Sequence, residues 1–451
     1  CCESCAIAYV ASKAPDTTNS AFALLRMVAS PWRAMSPERI RTGQGLFPHE
    51  KILHVEATSE CCQGSRVMPS QIDACHNVED FRKLARRRLP GPIFHYIDGA
   101  ADDEVTYRRN TEAFEHCDLV PNVLAGVENV DPSATVMGRK LRLPVFCSPT
   151  ALQRLFHHEG EWAVARAAAK YGTLFGISSL GTVSVEEIAT VDAPKLFQLY
   201  MHKDRGLTNE MIDRCKAARF DAIALTVDTI TGGNRERDLR TGFTSPPRLT
   251  LKSLASFAMH PGWSLRYFAG GKFRLPQLER HVREGTSVAI SVGEYFSTML
   301  DQSMNWTDAE RVRERWGGAF CLKGVMSVAD ARRAVDIGAS AIMVSNHAGR
   351  QLDGSRAPFD QISEIADAVG GRIEIICDGG IRRGTHVLKA IAAGATACSG
   401  GHLYLYALAA GGQRGVEKAL GNLKAEIERG MKLMGVTRLD QLTRDQLRYR
   451  R

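Results

Sequence analysis

Eight short apolar runs recur after residue 144, and each is followed by a stretch with helical periodicity. The runs span 144–148, 173–178, 195–200, 222–228, 319–324, 341–346, 374–378 and 397–401. They stay apolar along their length instead of alternating, as strands buried on both faces do. The helical stretches lie at 160–171, 185–190, 207–219, 309–316, 328–337, 361–369, 385–393 and 415–434. Several stop at glycine, as in Tyr171-Gly172 and Ile337-Gly338, where a left-handed residue ends a helix. Eight β-then-α units predict an α/β fold of the (β/α)8 barrel type. An open doubly wound sheet would carry an early GxGxxG turn, and none is present.

In such a barrel the reactive side chains stand at the C-terminal ends of the strands. There the chain carries Ser178, Gln198, Tyr200, Thr226, Asp228, Lys323, His347, Arg350 and Asp378. His347 follows the sixth run directly, and a histidine there can take a proton near neutral pH. Arg350, three residues on, can hold a carboxylate in two parallel hydrogen bonds. Asp228 can orient the imidazole and stabilise it once protonated. Each has a plainer reading: a hydrogen-bonded histidine, a turn-capping aspartate and, for Lys323, a structural ion pair, because an unpaired buried ammonium is costly. Asp378-Gly379-Gly380-Ile381-Arg382, with Gly401-His402 after the eighth run, sits where barrels commonly bind phosphate.

Between Asp228 and Ala319 lie roughly ninety residues, where most βα loops take two to six. An excursion of that length, about 229–300, reads as a lid or binding loop. Residues 1–67 have no sustained period and read as a poorly structured extension, upstream of a start at Met68. From Met68 the character changes, and Asn77 is placed to cap a helix carrying Phe81, Leu84 and Ala85 on one face. The domain reading is therefore 1–67, then a helical segment 68–143 packed on the barrel, then the barrel itself at 144–451. Five of the twelve cysteines (Cys1, Cys2, Cys5, Cys61, Cys62) precede Met68, in a spacing that fits no zinc ligand pattern. The other seven lie in apolar segments and read as reduced core residues of a cytosolic protein. A net charge of +8 over 451 residues gives little reason to expect nucleic acid, and no metal site is expected.

Taken together, the chain from Asp80 to Arg451 resembles the FMN-dependent α-hydroxy acid dehydrogenase/oxidase family, and is most similar to its bacterial L-lactate dehydrogenase branch in Gly233-Asn234-Arg235-Glu236-Arg237-Asp238 through Phe243. The resemblance implies FMN as cofactor and an L-2-hydroxy acid, L-lactate first, as substrate. It implies that Pro149, Thr150 and Ala151 face the flavin, and that Ser178, Gln198, Tyr200, Thr226, Lys323 and Ser345 touch it. It assigns the ribityl and phosphate end to Asp378, Gly379, Gly380, Arg382, Gly401 and His402. Tyr96, Tyr200, Arg235 and Arg350 become the substrate set, with His347 as base. The electron acceptor it implies is a quinone, a cytochrome or oxygen, and the assembly a homotetramer.

Two positions depart from the family. His402 stands where the family carries an arginine on the phosphate, so weaker and pH-sensitive phosphate binding is expected. Leu180 stands where some oxidases carry tryptophan, leaving more room for a substrate side chain. Residues 248–286 hold seven cations (Arg248, Lys252, Arg266, Lys272, Arg274, Arg280, Arg283) against Glu279 and Glu284, interleaved with Phe257, Trp263, Tyr267, Phe268 and Phe273. That mixture suits an anionic membrane surface, on the cytoplasmic face of an inner membrane. It equally suits a cap over the barrel mouth. An isopentenyl-diphosphate isomerase type of FMN barrel, a Schiff-base aldolase using Lys323 and a non-catalytic scaffold remain as alternatives. The one string similar to a haem-binding core, His260-Pro261-Gly262-Trp263, falls in the long loop.

Overall fold

The computed structural model describes residues 71–243, 250–269, 274–279 and 298–450. The extension 1–67 with its five cysteines lies outside them, as do Arg248, Lys272, Phe273, Arg280, Arg283 and Glu284 and the side chains of Lys252 and Phe268. Eight parallel strands close into a barrel: β1 (Val145–Thr150), β2 (Phe175–Ser178), β3 (Lys195–Leu199), β4 (Ala222–Thr226), β5 (Ala319–Lys323), β6 (Ala341–Ser345), β7 (Glu374–Asp378) and β8 (Ala397–Gly400). Each pairs with its neighbour in sequence, and β8 returns to β1. The eight apolar runs are these eight strands, shifted at their ends by one or two residues.

Register decides which strand-end residues meet. Asp378 lies opposite Ser345 on one side and Ser399 on the other. Ser178 lies opposite Gln198, and Thr226 opposite Lys323. The lower end of the barrel is closed by the hairpin Ala134–Val136/Arg139–Leu141, whose Val136, Met137 and Leu141 pack on Phe146, Leu196 and Ile376.

The segment before the barrel is held onto it. Asn77 caps the helix Val78–Arg88 by accepting from the Asp80 N–H, and the helix buries Val78, Phe81, Leu84 and Ala85. Burying a side chain such as Phe81 stabilises by roughly 1.5–3 kcal/mol. The helices Gly91–Asp98 and Val105–Glu115 follow, and Cys117–Leu119 pairs antiparallel with Leu447–Tyr449 near the other end of the chain.

Two features differ from the sequence reading. The last helix begins at His402, not at 415, and runs to Met434 with a break at Gly411 and Gly412 (φ 57°). Its first turns, Leu403 to Ala410, are buried on every side, so they carry no amphipathic period to read. The long excursion contains the helices Glu236–Thr241, Leu251–Ala258 and Pro261–Ala269. The aromatic residues Phe257, Trp263 and Tyr267 pack inward: the Trp263 Nε1 donates to the Leu155 carbonyl at 2.8 Å, and its ring stacks on Tyr267. Leu251, Leu254, Met259 and Leu265 are turned outward, with Arg266. The seven cysteines from Cys75 to Cys398 are buried and free.

Candidate active site

A cavity of about 130 Å³ opens at the C-terminal ends of the strands. His347 sits in the turn after β6, where His347 (φ 56°), Ala348 (φ 57°) and Gly349 (φ 73°) are all left-handed. Two non-glycine residues in that region store backbone strain, a feature that clusters at working sites. The turn is fixed from below by a reciprocal amide pair: Asn346 Nδ2 donates to Asn110 Oδ1 at 2.7 Å, and Asn110 Nδ2 returns the bond at 2.8 Å. A Cβ on Gly349 would lie 2.6 Å from the Tyr107 amide nitrogen.

His347 Nδ1 lies 3.2 Å from both carboxylate oxygens of Asp228. Burial by itself would raise the Asp228 carboxyl, but the charge and hydrogen bond of His347, with the charge of Lys323, hold it below its ordinary range. An ionised carboxylate only accepts, so Nδ1 carries a proton and Nε2 is the nitrogen left to exchange one. His347 lines the cavity, with Asp228 directly behind it.

Beside this pair stand two guanidinium groups. Arg350 Nη1 donates to the carbonyls of Tyr96 and Gly99, each at 2.7 Å, and its guanidinium lies 5.0 Å from the Tyr96 ring centroid. Arg235 lies 5.5 Å from the same ring and pairs with Asp238 at 3.3 Å. Burial, and then the charge of Arg235, lowers the Arg350 guanidinium. Among the described residues no carboxylate pairs with Arg350. Tyr96, Tyr200, Arg235, Arg350 and Leu180 all line the cavity. Burial raises the Tyr200 phenol well above its ordinary value, so it stays protonated.

Next to Asp228, Lys323 Nζ bonds Asp378 Oδ2 at 3.0 Å and Ser345 Oγ at 3.2 Å. Burial opposes the ammonium, but Asp378 and Asp228 outweigh it and raise the lysine. Burial likewise opposes the Asp378 carboxylate, yet Lys323, Ser399 and Ser345 bring it down to about 2. Ser148 and Ser399 donate to its other oxygen at 2.9 and 2.6 Å. Four donors fill the carboxylate's capacity, so Asp378 is committed to holding Lys323. A Schiff-base lysine needs its neutral amine, and this one is an ammonium.

Gly379, Gly380, Gly401 and Arg382 line the phosphate-like end, with His402 at its edge. Gly380 (φ 72°) admits no side chain, since a Cβ there would collide with the Asn110 carbonyl. Arg382 Nη2 donates to Tyr107 Oη at 3.3 Å, while its Nη1 is buried with no hydrogen-bond partner among the described residues. An unpartnered buried guanidinium nitrogen beside two left-handed glycines fits a phosphate that is to be bound there.

His402 corrects one expectation. Its Nε2 lies 2.8 Å from the Ile97 carbonyl, and burial, then the charges of Arg382 and Arg350, push its imidazole down to about 3. Those surroundings favour the neutral imidazole, which offers a phosphate no charge.

Of the other residues singled out in the sequence, Pro149, Thr150, Ala151 and Ser178 line the cavity. Gln198, Thr226 and Ser345 do not; they stand in the wall. Gln198 accepts from Ser178 Oγ and donates to Thr226 Oγ1, both at 2.8 Å. The sequence reading missed Ser148 and Ser399, which hold Asp378, and Phe156, which lines the cavity. It also missed Tyr107 and Asn110, whose helix Val105–Glu115 gave no cue to its place under the site. Elsewhere His157, His158 and Glu159 bring three ligand atoms within 4.8 Å of one another. There burial, His158, Arg266 and Arg88 push His157 down to about 3, positive surroundings that disfavour a cation.

A sequence model of the FMN-dependent dehydrogenase family matches residues 85–449. An L-lactate dehydrogenase of Alcaligenes faecalis is 40% identical over 370 residues, covering 82% of this chain and 97% of that one. Glycolate oxidase 1 of Oryza sativa subsp. indica is 38% identical over 369 residues, covering 82% and 94%. The crystal structure of a monotopic membrane protein, (S)-mandelate dehydrogenase, superposes with a TM-score of 0.78 at 33% identity, covering 83% of this chain and 99% of that one. The chain therefore belongs to the FMN-dependent dehydrogenase family and is an FMN-dependent enzyme that oxidises 2-hydroxy acids.

Proposed function

We propose that this chain oxidises L-lactate to the 2-oxo acid, with His347 as base and Arg350 as carboxylate clamp. The observation that carries the reading is an aspartate-backed imidazole beside an arginine with which no carboxylate pairs among the described residues, both facing one cavity. Arg350 spends Nη1 on two backbone carbonyls. Its remaining N–H groups are left for a substrate carboxylate, with Arg235 adding charge and Tyr96 a hydroxyl. Held there, the substrate presents its α-carbon and hydroxyl to His347 Nε2, which takes the proton. Asp228 keeps Nδ1 protonated and stabilises the imidazolium that forms.

FMN, when bound, would accept the two electrons and the second hydrogen. Arg382 and the amides around Gly379, Gly380 and Gly401 hold its phosphate, and Lys323 supplies positive charge where the flavin takes on negative charge. L-lactate is favoured by the 40% identical L-lactate dehydrogenase, while Leu180 leaves space for a side chain beyond that of glycolate. Turnover with L-lactate, glycolate and (S)-mandelate, using oxygen and a soluble quinone as acceptors, tests the reading. Anaerobic bleaching of the flavin by any of them supports the class. A kcat/KM for glycolate or mandelate above that for L-lactate overturns the substrate.

We further propose peripheral attachment to an anionic membrane through the helices Leu251–Ala258 and Pro261–Ala269. Their outward Leu251, Leu254, Met259 and Leu265 stand beside the exposed Arg266, and apolar contact with nearby cations suits a lipid interface. No helix among the described residues is long and apolar enough to cross a membrane. Flotation with anionic vesicles at low and high salt decides it; absence of binding at low salt makes these helices a cap only. The homotetramer implied by the resemblance is read by sedimentation.

A further inference from the structure

The last carbonyls of an α-helix have no partner inside it. In the helix Gly91–Asp98, which carries Tyr96, they are taken by groups from opposite ends of the site. Arg350 takes those of Tyr96 and Gly99, and His402 takes that of Ile97 at 2.8 Å. The His402 ring also stacks on Tyr406, centroids 5.4 Å apart, and the Tyr406 hydroxyl donates to Asp98 at 2.8 Å. The helix end is thus pinned to the first turn of the helix that starts beneath the phosphate site.

We propose that His402 is a positioning residue for the substrate clamp, acting through the Ile97 carbonyl, and that it does not serve as a phosphate ligand. The inference rests on the reading of Arg350 as that clamp. A neutral imidazole has one N–H, and His402 spends it on Ile97. Its other nitrogen carries a lone pair, which cannot donate to a phosphate oxygen. Phosphate charge then falls to Arg382, whose Nη1 has no partner among the described residues. Tyr96 is the residue next to Ile97, and both Arg350 and Arg235 lie over its ring. A shift in that helix end moves the surface on which the two guanidinium groups rest.

The test compares His402→Leu, which removes the donor, with His402→Gln, which keeps an N–H able to reach the carbonyl. Two affinities are measured: FMN for the apoprotein, and oxalate, a non-oxidisable carboxylate, for the holoenzyme by the change in flavin absorbance. Leaving one buried carbonyl unsatisfied costs enough for about a tenfold effect. His402→Leu is expected to weaken oxalate and raise KM for the 2-hydroxy acid by about tenfold. The FMN affinity and kcat should stay within about threefold, and His402→Gln should recover most of the loss. Weaker FMN with unchanged oxalate affinity and KM would make His402 a phosphate ligand after all. Unchanged values throughout would remove it from the site. If His402→Leu does not fold, His402→Asn, too short for the carbonyl, takes its place under the same outcomes. Failure of the wild-type holoenzyme to bind oxalate would instead refute the reading of Arg350.

Discussion

Asp98 joins three parts of the chain by one carboxylate. Its oxygens accept from Arg82 at 2.5 and 2.9 Å, from Arg237 at 2.9 Å and from Tyr406 at 2.8 Å. Burial at 1% exposure would raise its pKa, but Arg82 and Tyr406 pull it from its ordinary 3.8 to about 2. A carboxyl depressed by that much contributes roughly 2.5 kcal/mol of stability at neutral pH. Such a contribution is present in full above the unfolded value and is lost as pH falls through the folded one. Asp98→Asn keeps the shape and an acceptor but removes the charge. Arg82 and Arg237 are each 33% exposed and retain some water, so the loss stays below the roughly 3–5 kcal/mol of a fully buried orphan charge. Urea unfolding at fixed FMN concentration should show the variant about 2–3 kcal/mol less stable at pH 7, a gap that persists at pH 5 and narrows by about half at pH 3. Equal stability at pH 7, or a gap of the same size at pH 3, would refute the charge argument.

His347→Gln should keep bound FMN and slow flavin reduction by substrate about 10²–10⁴-fold in stopped flow; near-normal reduction removes His347 as base. Arg350→Lys keeps the charge but loses the planar fork, so KM should rise and reduction slow together, and unchanged kinetics would make Arg350 structural. Lys323→Met leaves Asp378 buried without its countercharge and should cost about 3–5 kcal/mol in urea unfolding, part of which Lys323→Met/Asp378→Asn should restore. A chain starting at Met68 should match the full chain in turnover and melting temperature, and loss of soluble protein would show that residues 1–67 belong to the fold.

The barrel was legible because strands buried on both faces must be apolar throughout, and eight such runs with helices between them admit few other folds. The groups at the strand ends were legible for the same reason: a lysine, a histidine or an aspartate ending an apolar run stands out. What lay hidden was depth. Gln198, Thr226 and Ser345 sit at strand ends just as Ser178 does, but Gln198 bonds Thr226, and Ser345 bonds Asp378, within the wall. The start of the last helix was invisible because it is buried all round. Asn110 and Tyr107 act through contacts with residues more than 230 positions away, which no local pattern records. The substitution at His402 was visible, but its surroundings were not. Charge on an isolated histidine follows from its type; here burial and two neighbouring arginines decide it.

The closure of β8 onto β1, and the pairing of Cys117–Leu119 with Leu447–Tyr449, bear on when the cofactor can be captured. During synthesis the first strand waits for the last, with more than 240 residues emerging between them. The phosphate cradle needs Gly401 from one end of the barrel and Asn110, under Gly380, from before its first strand. A nascent chain halted at residue 396 would hold most of the wall yet have no place to retain FMN. The cofactor can accordingly be held only once the eighth strand has joined the first.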